Sequence, residues 1–136
     1  MPRFQLLTRQ QASQMGPLQL AYLGDGVYEL LVREEVVMSG GRMHAIHKGA
    51  TSLVNARAQA EALEMVRGYL TEEEADIVRQ GRNVHAKHQA PRSASQAEYA
   101  AATAFETLLG WLYVTGQEER LSTVYQLSRS SVDEKI

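Results

Sequence analysis

Residues 97–114 read Ala97-Glu98-Tyr99-Ala100-Ala101-Ala102-Thr103-Ala104-Phe105-Glu106-Thr107-Leu108-Leu109-Gly110-Trp111-Leu112-Tyr113-Val114. The segment lacks the alternation of apolar and polar residues that a half-buried strand needs. Ser95-x-x-Glu98 in front of it has the pattern of a capping box, and Gly116 behind it is a helix stop. The reading is a helix that is apolar around nearly its whole circumference, which belongs at the centre of a helical domain. After the first turn its only polar residues are Thr103, Glu106 and Thr107. Tyr99, Thr103, Glu106 and Gly110 recur at helical spacing and share one face. An ionised carboxylate in such a helix needs a cation or a set of donors, either a buried Arg or a bound ion.

Working outward, the rest of the chain supplies helices to cover that one. A helix starting at Pro17 places Leu20, Leu23, Val27, Leu30 and Leu31 at helical spacing and runs to about Met38, where Ser39-Gly40-Gly41 breaks it. A second is expected over His44 to Arg67 with Gly68 as its stop. Thr71-x-x-Glu74 opens a short helix to about Gln80, ended by Gly81. Arg82 to Ser95, which contains Pro91, reads as a basic loop. The last helix covers about Gln117 to Leu127, with Ser128 to Ile136 frayed. The expectation is an all-α single domain over residues 1–136, with about five helices and a core over 15–128.

Composition narrows the function classes. The 136 residues contain no cysteine, which excludes a disulfide framework, a thiol nucleophile and sulfur-ligated zinc. No apolar run is long enough to span a bilayer, and the start Met1-Pro2-Arg3-Phe4-Gln5 has no signal-peptide pattern, so a cytoplasmic protein is expected. A formal net charge of −2 argues at first against nucleic acid. The charges are segregated, however. No acid lies between Glu35 and Glu61 or between Asp76 and Glu98, and these gaps hold seven of the fourteen basic residues and all four histidines. Local potential governs phosphate binding more than net charge does.

The helix from Pro17 carries Tyr22-Leu23-Gly24-Asp25-Gly26-Val27-Tyr28. Two interior glycines together cost a helix about 2 kcal/mol relative to alanines, and they bracket an aspartate, itself a poor mid-helix residue. Local violations of this kind are kept at functional sites. The glycines are expected to free both shoulders of Asp25 for a metal ion and a phosphate. Glu29 and Arg33 on the same face read as an ordinary exposed ion pair. Asp25 and Glu106 thus give two carboxylates on two helices that must pack together. Such a pair suits a hard divalent cation, Mg²⁺ or Mn²⁺, and hydrolysis by a metal-activated water.

Leu20-Ala21-Tyr22-Leu23-Gly24-Asp25-Gly26-Val27-Tyr28-Glu29 resembles the signature of the ribonuclease III catalytic domain, centred on Leu-Gly-Asp. Ala102-Thr103-Ala104-Phe105-Glu106-Thr107-Leu108-Leu109-Gly110 resembles that family's second catalytic segment. Residues 15–128 fit its short branch, Mini-ribonuclease III, which lacks a double-stranded-RNA-binding domain. The resemblance implies a helical homodimer that cleaves double-stranded RNA with Mg²⁺, leaving 5′-phosphate and 3′-hydroxyl ends. It further implies precursor large-subunit ribosomal RNA as substrate, with a ribosomal protein as a possible presenter. Asp25 and Glu106 take the catalytic and metal-binding positions. Two acids of the longer enzymes are replaced by Ala21 and Thr103, which leaves the metal count and the rest of the shell open. A catalytically inactive RNA-binding or ribosome-assembly module with the same fold is the alternative.

Under that resemblance the basic gaps acquire a use, since duplex RNA is read through phosphates and 2′-hydroxyls. Lys48, Arg57, Arg82, Lys87 and Arg92 are the expected RNA contacts. His44-x-x-His47 and His85-x-x-His88 repeat one spacing, but without flanking carboxylates or cysteines they suit RNA or solvent better than zinc.

Overall fold

The computed structural model describes residues 4–84 and 95–134, with side chains described as far as Arg129. Every regular element in the described part is helical. The helices are α1 (Arg9–Ala12), α2 (Pro17–Met38), α3 (Met43–Leu53), α4 (Ala56–Val66), α5 (Glu72–Asn83), α6 (Gln96–Val114) and α7 (Glu118–Glu134), with a 3₁₀ turn (Arg67–Tyr69) after α4. None is long and apolar enough to cross a membrane.

The apolar helix is the axis, as its composition requires. In α6, Ala102 to Phe105 and Thr107 to Leu112 are buried, and α2, α4, α5 and α7 pack around it. Phe105, Leu108, Leu109 and Leu112 are fully enclosed, together with Tyr28 and Val32 of α2, Leu63 and Val66 of α4, and Val124 of α7. The ring of Tyr28 meets Phe105 edge-on, with centroids 5.4 Å apart. Both expected capping boxes form. Thr71 and Ser95 each accept from the backbone N–H three residues on, while Glu74 and Glu98 reach back to the N–H groups of Thr71 and Ser95.

Four local readings change. The expected helix from His44 to Arg67 is two helices, broken at Val54 and Asn55. Asn55 caps α4 by accepting from the Ala58 N–H at 2.9 Å, and the Tyr28 hydroxyl donates to the Leu53 carbonyl at the end of α3. Gly81 does not end α5, which continues to Asn83. Gly81 is buried against α6, where a Cβ would press on Thr107 and on the Ala104 backbone, so its role is close packing. The last helix extends to Glu134. Ser128 is buried and Arg129 bridges to Glu35 of α2 at 3.0 Å, contacts that hold this end in place. A short α1, opened by the Thr8/Gln11 capping box, had no apolar periodicity to announce it.

Candidate active site

The site is made where α2 crosses α6. At this crossing the two backbones touch. A Cβ on Gly24 would overlap the carbonyl oxygen of Glu106, and one on Gly110 would overlap the carbonyl oxygen of Leu20. Asp25 follows Gly24 and is thereby set beside Glu106. The expected clearing of both shoulders of Asp25 is half right. A Cβ on Gly26 would meet nothing within 4 Å, whereas the Gly24 shoulder is filled by the α6 backbone.

The two carboxylates come together, and among the described residues no ion pair compensates them. Burial pushes the Glu106 carboxyl up to about 8, and hydrogen bonding to Asp25 and its negative charge push in the same direction. The Gln59 side chain opposes them, its Nε2 donating to Glu106 Oε2 at 3.2 Å. Among the described residues, no Lys or Arg forms an ion pair with Asp25 or Glu106, so none of these is the buried Arg that would account for Glu106. Two clustered carboxylates with oxygen-only donors fit a hard divalent cation, which would relieve their repulsion.

Among the described residues, no third acid joins them in a metal-holding group. Ala21 and Thr103 are buried, and among the described residues no three His, Cys, Asp or Glu side chains converge in a way that could hold a metal. Glu29 is held by Arg33 at 2.7 Å, the exposed pair expected from their spacing. Gln59 is the contact that sequence reading missed. It is 5% exposed in the alanine-rich first half of α4. Its helical stripe with Ala62, Leu63 and Val66, all buried, is the signal that could have pointed to it.

The expected RNA contacts scatter more widely. Lys48 is exposed on α3, as is its neighbour His47, which shares a hollow of about 230 Å³ with Glu29, Arg33, Ala50, Thr51 and Val54. Arg57 is exposed and bridges Glu61 one turn along α4 at 3.4 Å. Arg82 lies in the last turn of α5, partly buried beside Arg67 and Arg79. Lys87 and Arg92, with His85 and His88, lie outside the described residues.

With this geometry in hand, similarity to known proteins is informative. Residues 18–117 match the ribonuclease III domain family. The chain is 49% identical over 118 residues to the Mini-ribonuclease 3 of Symbiobacterium thermophilum, covering 86% of this chain and 90% of that protein. It is 39% identical over 131 residues to the Mini-ribonuclease 3 of Thermoanaerobacter sp., covering 96% and 92%. A crystal structure of a Fusobacterium nucleatum protein superposes with a TM-score of 0.77 at 29% identity, covering 84% of this chain and 93% of that one. Asp25 and Glu106 both fall inside the matched region, and the chain belongs to the ribonuclease III domain family, on the branch of the Mini-ribonuclease 3 proteins.

Proposed function

We propose that the chain is a divalent-metal-dependent endoribonuclease that hydrolyses double-stranded RNA at Asp25 and Glu106. The observation that carries this is the Asp25–Glu106 pair at the α2–α6 crossing, which no described Lys or Arg neutralises. Family membership supplies the substrate class. Asp25 and Glu106 would hold Mg²⁺, with Mn²⁺ able to substitute, leaving the other coordination positions to water and a backbone phosphate. When bound, the ion supplies a Lewis acid and a water of lowered pKa. The chain's own part is to fix two oxygen donors on rigid helices and to keep basic groups from neutralising them. Hydrolysis that breaks the P–O3′ bond leaves a 5′-phosphate and a 3′-hydroxyl.

The physiological substrate in this reading is precursor large-subunit ribosomal RNA, cut in the stems that flank the mature ends. A ribosomal protein could present it without supplying a catalytic group. Lys48, Arg57, Arg82, Lys87 and Arg92 would contact phosphates. The enzyme would act as a homodimer in the cytoplasm. An uncovered apolar stripe on α2 supports the second copy. Leu18, Tyr22, Leu30 and Val37 are exposed at helical spacing, with Tyr22 at 87%.

Incubating the protein with long duplex RNA, with and without Mg²⁺, tests the reading. Cleavage should require the metal. Asp25→Asn should lower it by more than about a hundredfold, because loss of an outer-shell partner alone costs metal sites about 10–100-fold. Folding, self-association and RNA binding should stay near normal. Intact RNA bound equally well with and without Mg²⁺ would instead identify an inactive RNA-binding module.

A further inference from the structure

We propose that Gln59 is a positioning residue for Glu106, holding its carboxylate in the orientation that accepts the cation; this rests on the reading of Asp25 and Glu106 as a cation site. The chain assigns unusual local structure to this contact. α3 and α4 are separate because Asn55 caps α4, accepting from the Ala58 N–H at 2.9 Å while its own amide donates to the Ser52 carbonyl at 3.0 Å. That break sets where the first turn of α4 begins. Gln59 comes one turn later, its backbone N–H donating to the Asn55 carbonyl at 3.0 Å. The cap therefore places the Gln59 side chain against α6.

Packing alone does not ask for glutamine here. The other buried residues of α4 are Ala62, Leu63 and Val66, and a leucine or methionine would fill the same space without a buried amide. A buried amide is tolerated when it is hydrogen-bonded, and the Gln59 amide donates to Glu106 Oε2 at 3.2 Å. Glu106 is thus held by Gln59 of α4, while the negative charge of Asp25 of α2 acts against it. A glutamate has three side-chain torsions to fix before it can serve as a pre-formed ligand. A neutral donor on a separate helix restricts them.

The residue type follows from the same reasoning. A lysine or arginine at this position would neutralise the acid pair and compete with a divalent ion. A glutamate would add a third negative charge to an already strained pair. A primary amide donates a hydrogen bond and brings no charge.

The test compares wild type with Gln59→Met, which keeps the volume and removes the donor, and Gln59→Asn, which keeps the amide but shortens its reach. Mn²⁺ binding to the RNA-free protein is followed by the electron paramagnetic resonance signal of the free ion. Cleavage of duplex RNA is then measured against Mn²⁺ concentration. Both variants should bind Mn²⁺ about 10–100-fold more weakly. Thermal unfolding and the KM for RNA should stay unchanged, and turnover should recover as Mn²⁺ is raised. A merely structural role would not be rescued by the ion.

A measurement on wild type alone guards against a variant that fails to fold. The Gln59 side-chain amide protons should shift on Mg²⁺ addition with the midpoint seen for cleavage. Folded variants with wild-type Mn²⁺ affinity and turnover, or an amide signal indifferent to Mg²⁺, overturn the role of Gln59. Wild-type protein that binds no Mn²⁺ overturns the cation site and this role with it.

Discussion

Gly24 and Gly110 face each other across the α2–α6 crossing, each in the space where a side chain would strike the other helix's backbone. The spacing that lets the helices touch is the spacing that brings Asp25 to Glu106, so fold and site share one constraint. A methyl group on Gly24 would meet backbone atoms at Glu106 and Gly110, which cannot rotate away as a side chain can. Gly24→Ala should therefore lower stability by about 3 kcal/mol or more, the upper range for overpacking, and reduce cleavage with it. Gly26→Ala has open space and should gain about 0.5–1 kcal/mol through helix propensity. Urea unfolding of the two variants at low protein concentration checks the contrast. Equal midpoints would mean that the helices do not cross as described.

The Glu106 carboxyl, raised to about 8, makes a pH prediction with a definite sign. Between the unfolded carboxyl value, about 4.3, and 8 the folded, metal-free protein holds a proton that the unfolded chain has released. Over that window this group's contribution to stability falls as pH rises. Saturating Mg²⁺ should remove the trend, because the ion competes with the proton, and Mg²⁺ affinity should climb as pH rises towards 8. Glu106→Gln should flatten the stability trend in metal-free buffer. Unfolding midpoints at several pH values, with EDTA or with Mg²⁺, supply the measurement. A metal-free profile identical in wild type and Glu106→Gln would contradict it.

Much of this arrangement was legible in the sequence, for physical reasons that differ from residue to residue. The burial of α6 follows from composition, since a helix without a polar face has nowhere else to go. The capping boxes at Thr71 and Ser95 are local chemistry and form as their spacing predicts. Asp25 stood out because it violates helix propensity between two glycines. The purpose of Gly24 was not legible, because a glycine beside an acid reads equally as ligand space or as helix contact, and only the partner backbone decides. Gly81 misled in the same way, its near neighbours being Thr107 and Ala104 of another helix. The break at Asn55 was hidden because apolar periodicity runs through it. Gln59 could not be assigned before α4 was placed against α6.

Away from the acid pair, Glu74 and Arg120 join α5 to α7. Arg120 donates from Nε and one terminal nitrogen to the two Glu74 oxygens at 2.7 and 2.8 Å, and that terminal nitrogen also donates to the Tyr69 carbonyl. Burial alone would raise the Glu74 carboxyl, but the hydrogen bonds from Arg120 and Thr71 outweigh it and hold it below its ordinary value. This contribution to stability is present above the unfolded carboxyl value and is lost as pH falls through the lower folded one. Arg120→Met should cost about 1–3 kcal/mol by removing the cation from a buried carboxylate that keeps only its hydrogen bond from the Thr71 N–H. Adding Glu74→Gln to it should recover part of that loss, and the double variant should depend less on acid pH. A double-mutant cycle of urea midpoints at neutral and acid pH reads both effects.

The RNA footprint can be located by salt. Each phosphate that the protein no longer neutralises lowers the slope of log affinity against log salt by about 0.7–0.9. Arg82, Lys87 and Arg92 come from one acid-free stretch, and replacing all three with glutamine should therefore lower the slope by about two to three. Arg57 is already shared with Glu61 at 3.4 Å, so Arg57→Gln should change it by less than about one. Fluorescence anisotropy with labelled duplex RNA, without divalent ions and over a range of KCl, measures each slope without cleavage interfering. Turnover of the triple variant at saturating RNA should stay near wild type, since the proposed role of the three is to bind phosphates and catalysis is left to Asp25 and Glu106. A triple variant that keeps the wild-type slope would move the footprint to α3, where Lys48 is exposed in a stretch without acids. Lys48→Gln would then be the variant whose slope drops.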